Sequence, residues 1–218
     1  KSKNYIFPKK CLCGAETKKE FSKNLKKLDA VRRCTRGYAC NFTAKEKLKH
    51  FVSKEALNID GLGKKVIEQF WDLALIKEPS DIFNLDFKKI EKLEGWGSLS
   101  INNLKNAISK SQIISLDRFI YSIGIRHIGQ ENAKILAGFF SSIKEFTKLF
   151  DLKIRKKILI NLSELDGIGE TQIQSINSFF LNETNIRIIS KLIDRLKIKN
   201  FSIKKFGKFS DKKLMFTG

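Results

Sequence analysis

Ile59-Asp60-Gly61-Leu62-Gly63-Lys64-Lys65 is a glycine–apolar–glycine turn set between two stretches of helical pattern. The pattern returns as Leu93-Glu94-Gly95-Trp96-Gly97 and as Leu165-Asp166-Gly167-Ile168-Gly169. A looser version is Ile123-Gly124-Ile125-Arg126-His127-Ile128-Gly129. The closing glycines, at positions 63, 97, 129 and 169, are spaced by 34, 32 and 40 residues. A period in this range marks an array of one supersecondary unit.

The unit has a physical logic. Its first glycine supplies the positive φ that a sharp reversal needs. The apolar residue after it tucks back between the two helices and pins the reversal. The second glycine opens the next helix, where free backbone N–H groups and the positive dipole end meet no side chain, so a phosphate can come close. This is a helix-hairpin-helix, which grips the nucleic-acid backbone without reading bases. A single copy has a plainer reading, a helix C-cap glycine running into the next helix. Four copies in register on a basic chain favour phosphate binding. The candidate contacts are Gly61, Gly63, Gly95, Gly97, Gly124, Gly129, Gly167 and Gly169, with Lys64, Lys65 and Arg126 adding charge. Leu62, Trp96 and Ile168 read as hairpin plugs; the alternative for Trp96 is stacking on a base. His127 either touches the backbone or caps a turn.

Charge points the same way. Lys and Arg total 43 against 23 Asp and Glu, a net charge of +20, which suggests a polyanionic partner. Eighteen Phe and 42% apolar residues are enough to fill a core, and only two prolines suit a helical chain with short connections. No apolar run approaches membrane-spanning length and no signal peptide is visible, so the expectation is a soluble cytoplasmic protein with no membrane partner.

All four cysteines lie early, as Cys11-x-Cys13 and Cys34-x5-Cys40. Two close pairs separated by a loop read as a structural tetrahedral Zn²⁺ site, with Cys11, Cys13, Cys34 and Cys40 as ligands. Metal supplies the stability that about 30 residues cannot draw from a core of their own. The usual first knuckle is C-x2-C; here it is C-x-C, a departure that bears on metal affinity. The alternative is four reduced, non-ligating cysteines. His50 falls in a helical run and reads as a packed histidine rather than a ligand.

The expected architecture is mostly α: a small four-cysteine zinc ribbon over residues 11–40, then an all-helical domain of four helix-hairpin-helix motifs over 41–198. Thr43-x-x-Glu46 is a capping box that predicts a helix start. Helical segments are expected at 53–59 and 64–76, 86–93 and 98–110, and 115–123 and 130–140; residues 151–160 and 161–165 lead to the fourth hairpin and 170–181 leave it, with a start at Ser80-Asp81 and a capping box at Ser142-x-x-Glu145. A last helix is expected at about 184–197, with Ile186, Ile189, Leu192, Ile193 and Leu196 on one face. Residues 1–10 read as a lead-in from an upstream domain, 199–210 as a basic linker, and 213–218 as a strand opening a further domain. The chain therefore reads as a fragment.

Together these stretches resemble bacterial NAD-dependent DNA ligases. The resemblance runs through Phe7–Gly14 (FPKKCLCG), Arg33–Cys40 (RCTRGYAC), Leu48–Phe70, Leu93–Gly97, Asn103–Ile108, Arg118–Ala137 and Leu165–Gly169. His50–Gly63 and Arg126–Ala133 (RHIGQENA) are its most specific parts. It implies the order zinc finger, four-hairpin domain, BRCT domain, with residues 211–218 the start of the last. It also implies upstream adenylation and OB domains, where NAD and Mg²⁺ serve the full-length enzyme and AMP is placed on the lysine of a K-x-D-G motif. This chain has Asn58-Ile59-Asp60-Gly61 and Glu164-Leu165-Asp166-Gly167. Neither carries the lysine, so no catalytic residue is expected and neither cofactor is expected to bind here. The implied role is to hold duplex DNA near a nick, in replication and repair. The alternative is a stand-alone, sequence-independent DNA-binding repair or recombination accessory.

Overall fold

The computed structural model describes residues 5–6, 8–22 and 27–202 of the 218. It begins with an antiparallel ribbon, β1 (Thr17–Ser22) against β2 (Lys27–Cys34), in the register Thr17 to Cys34 and Lys18 to Arg33. Thr17 anchors it. Its hydroxyl donates to the carbonyl of Pro8 at 2.8 Å and accepts from Arg32 Nε at 2.8 Å. A short 3-10 turn at Gly37–Ala39 then delivers the chain to the helical body.

That body contains α1 (Asn41–Val52), α2 (Lys64–Asp72), α3 (Phe87–Ile90), α4 (Ser98–Ser111), α5 (Leu116–Ser122), α6 (Gln130–Phe140), α7 (Ile143–Phe146), α8 (Leu152–Ser163), α9 (Glu170–Phe180) and α10 (Glu183–Ile193). Apolar residues at helical spacing bury one stripe of each main helix. In α2 these are Ile67, Phe70 and Trp71; in α6 they are Ala133, Leu136, Ala137 and Phe140. One contiguous core joins α1 to α10. Its second half is aromatic, with Phe146 edge-on to both Phe140 and Phe180 at 5.3 and 5.7 Å between ring centroids. Half-buried Glu78 ties α10 to the turn before α3, meeting Arg187 at 2.8 Å and Lys191 at 2.6 Å.

Helices α4, α6 and α9 start and stop within a residue of expectation, and Ser142 caps α7 by accepting from the Glu145 amide at 3.3 Å. Other boundaries differ, each for a local reason. Helix α1 begins before Thr43, because extended Cys40 is its N-cap and the Cys40 carbonyl accepts from Ala44 at 2.8 Å. Residues 53–59 form a turn rather than a helix. The amides of Leu57 and Ile59 return to the carbonyls of Phe51 and Val52, and Asn58 takes φ 53°. Helix α2 stops at Asp72 rather than 76. Ala74 is left-handed at φ 55°, and the Leu75 and Ile76 amides both fold back to Phe70, a helix-ending reversal. The segment expected at 86–93 holds only the single turn α3, and Ser80-Asp81 falls inside a 3-10 turn at Pro79–Asn84 whose N-cap is Glu78.

Helix α10 ends at Ile193, short of 197, because the chain then enters β4 (Lys197–Lys199), parallel to β3 (Ile113–Ser115). The terminal strand expected at 213–218, and the linker from 203 onward, lie outside the described residues. Among the described residues no helix is long and apolar enough to cross a membrane.

Candidate nucleic-acid interface and metal centre

The four turns share one geometry. The amide of the apolar plug donates back to the carbonyl three residues earlier: Leu62 to Ile59, Trp96 to Leu93, Ile128 to Ile125 and Ile168 to Leu165, at 3.1–3.3 Å. The residue before each plug is left-handed. It is Gly61 (φ 91°), Gly95 (φ 82°) and Gly167 (φ 87°) in three hairpins, and His127 (φ 59°) in the other. Leu62, Ile128 and Ile168 are buried. Trp96 is half-buried, packed against the core with its ring centroid 5.3 Å from that of Phe70, as a plug would be.

The third hairpin therefore aligns as Ile125-Arg126-His127-Ile128-Gly129. Gly124 is not its first glycine. It ends α5, its amide donates to Tyr121 at 3.1 Å, and a Cβ there would lie 3.5 Å from the His50 ring. A search for glycines passes over His127, because a left-handed non-glycine leaves no mark in sequence. The alignment also sets Arg126 where the other hairpins carry Asp60, Glu94 and Asp166.

The closing glycines are all helix N-caps with ordinary extended backbone: Gly63 (φ −68°), Gly97 (−88°), Gly129 (−81°) and Gly169 (−96°), opening α2, α4, α6 and α9. All four are exposed. A Cβ built on Gly63, Gly97 or Gly129 would meet nothing within 4 Å. The N–H groups of these three have no acceptor among the described residues. Lys64 and Lys65 stand exposed on the first turn of α2, and Arg126 is half-buried, its charged form disfavoured by burial. The hairpins associate in pairs. Gly61 lies against Leu104 of α4, and Gly167 against Ile135 of α6, while Asn132 of α6 donates to the Gly167 carbonyl at 2.7 Å.

The four cysteine sulfurs form a second constellation, all within 4.8 Å of one another. Cys11 and Cys40 are 3.8 Å apart, Cys13 and Cys34 3.6 Å. A tetrahedron with Zn–S bonds of about 2.3 Å has edges of about 3.8 Å, so the donor set fits zinc in number, softness and spacing. The C-x-C knuckle is closed by two backbone bonds: Gly14, at φ 82°, donates its amide to the Cys11 carbonyl at 2.8 Å, and the Cys11 amide donates to the Ala15 carbonyl at 2.8 Å. Burial raises the Cys40 thiol, but the Thr43 hydroxyl and amide outweigh it and bring it down to about 6. The Arg36 amide lowers Cys34, and burial with the neighbouring thiols overrides it, pushing that thiol up to about 12. His50 stands apart from the cluster; its Nε2 lies 2.8 Å from the Tyr121 carbonyl and its ring meets Tyr121 edge-on.

Comparison with known proteins adds an independent line. Residues 118–189, the third and fourth hairpins, match the helix-hairpin-helix motif. A DNA ligase of Pelagibacter ubique is 50% identical over 220 residues, covering 100% of this chain and 32% of its own length. A DNA ligase of Parvibaculum lavamentivorans is 39% identical over 199 residues, 87% of this chain and 28% of its own length. One of Wolbachia pipientis is 38% identical over 221 residues, 98% and 32%. The chain is thus similar to DNA ligases from end to end, and spans about a third of the length of these curated relatives.

Proposed function

We propose that this chain is the DNA-gripping part of an NAD-dependent DNA ligase, holding the backbone of a nicked duplex while other parts of the same protein carry out adenylation and sealing. The observation that carries the reading is at Gly63, Gly97 and Gly129. Their backbone angles suit any residue, and the space around them is open. Nothing among the described residues needs glycine there, and the bare main chain leaves room for a partner to approach it. The helix N-terminus offers that partner unpaired N–H donors and a positive dipole end, which fits a phosphate. Lys64, Lys65 and Arg126 supply full charges beside them. Contacts of this kind position a duplex without reading its sequence.

On this reading residues 11–40 are a finger in which the four thiolates hold a structural Zn²⁺, and 41–198 form the DNA-binding domain, with the domain order implied by the resemblance on either side. Bound zinc would supply the cross-links that a two-stranded ribbon lacks. NAD and Mg²⁺ would act in the adenylation domain, since Asn58 and Glu164 occupy the places of the K-x-D-G lysine. The stand-alone accessory reading gains no support from similarity to a ligase that covers the whole chain.

The test is Gly129→Val. It keeps a permitted φ and meets nothing within the chain, but it fills the space a phosphate needs. Folding checked by circular dichroism, the variant is expected to bind duplexes of unrelated sequence about tenfold more weakly, all alike. Unchanged binding by the folded variant would refute the clamp. Incubation with labelled NAD is expected to leave no AMP on the chain.

A further inference from the structure

The fourth hairpin differs from the others in charge and in its own hydrogen bonds. Residues 158–186, which contain it, include no Lys, Arg or His, in a chain where Lys and Arg number 43 of 218. The same stretch holds Glu164, Asp166, Glu170 and Glu183, the first three exposed around the turn. In the first hairpin Asp60 is answered by Lys64 and Lys65, and in the third Arg126 replaces the acid. In the fourth no basic residue of the stretch answers Asp166, and Glu170 occupies the first position of α9, where Lys64 stands in α2.

The closing-glycine amide of this hairpin is also engaged. The Gly169 amide already donates to Gln172 Oε1 at 3.2 Å, and that oxygen lies 3.3 Å from where a Cβ of Gly169 would sit. The Gly63, Gly97 and Gly129 amides have no such partner among the described residues. The turn carbonyl at Gly167 is held from the other side by Asn132, in the first turn of α6, three residues past Gly129. A Cβ on Gly167 would come within 2.7 Å of Ile135, also on α6.

We infer that the fourth hairpin takes no phosphate and instead braces the third, with Asn132 as the positioning residue that holds the mouth of α6 in place. The proposal rests on the clamp reading above. Phosphate would meet the exposed acids Glu164 and Asp166 at the turn and an amide already spoken for at Gly169, whereas the same turn is held by Asn132 and lies against Ile135, both on the helix that Gly129 opens. The duplex would then engage the first three hairpins only.

The test compares Gly63→Val, Gly129→Val and Gly169→Val in the intact chain, each checked for folding by thermal melt, on one short blunt duplex. The first two are expected to weaken binding about tenfold and Gly169→Val to leave it within about twofold. Glu170→Lys, an exposed change whose folding is checked by the same melt, is expected to leave the slope of log K against log salt unchanged, whereas a phosphate contact there would steepen it by about one. Asn132→Ala is expected to weaken binding several-fold in the parent and to add nothing in the Gly129→Val background, since it acts through that site. Equal losses from Gly169→Val and Gly63→Val, a steeper slope for Glu170→Lys, or additive losses from Asn132→Ala and Gly129→Val would overturn the brace and leave the clamp standing. No loss from any of the three valines would sink the clamp itself.

Discussion

Gly61 and Gly63 stand two residues apart and answer different demands. Gly61 must be glycine for the fold, because φ 91° is a conformation that L side chains resist. Gly63, at φ −68° with open surroundings, has no such need. Gly61→Ala is therefore expected to cost about 1–2 kcal/mol of stability in denaturant melts, and Gly63→Ala under about 1 kcal/mol, the loss of a fair N-cap. If the two cost the same, the separation of structural from partner-facing glycines is wrong. The buried plug is a third case: Ile168→Ala should destabilise by about 2–4 kcal/mol. The closing glycines could be read from the sequence because a helix start leaves a pattern after it. His127 could not, because its left-handed backbone is set by the turn around it and not by its own preference.

At the scale of elements, the long amphipathic helices were legible from spacing alone, and the short or irregular pieces were not. Residues 53–59 carry buried Ala56, Leu57 and Ile59, a pattern that suits a helix as well as the turn they form. The β3–β4 pair joins residues 113–115 to 197–199, and so distant a parallel pairing leaves no local trace. The cysteine ribbon was legible because ligand chemistry constrains spacing. Chelation is expected to abolish ribbon structure while most far-ultraviolet helical signal persists; loss of both together would mean the helical body depends on the metal. The Glu78 clasp was invisible in sequence, since its partners lie 109 and 113 residues away, at Arg187 and Lys191. Burial acts to raise the Glu78 carboxyl, but its bonds to Lys191, Arg187 and Ser80 hold it down at about 2. A depressed acid stabilises the fold above its ordinary range and loses that contribution as pH falls through the folded value. Glu78→Gln should thus cost on the order of 2 kcal/mol near neutral pH, the gap closing between about pH 4.5 and pH 2. A gap independent of pH would show that the ion pairs contribute nothing.

The whole molecule is a +20 chain whose positive charge is unevenly spread, dense through most of its length and absent from 158–186. That distribution, more than the total, says how a duplex would lie: against the hairpins that carry cations or stand open, away from the one that is acidic. Equilibrium binding of the intact chain to a nicked duplex and to intact duplexes of unrelated sequence, followed by fluorescence anisotropy over a salt series, tests this most directly. With Lys64, Lys65 and Arg126 as the cations at the clamps, log K should fall with log salt at a slope of about −3. The intact sequences should agree within about threefold, because backbone contacts carry no base information. Binding that is absent at low salt, that holds steady as salt rises, or that changes more than about tenfold with base sequence would contradict the account.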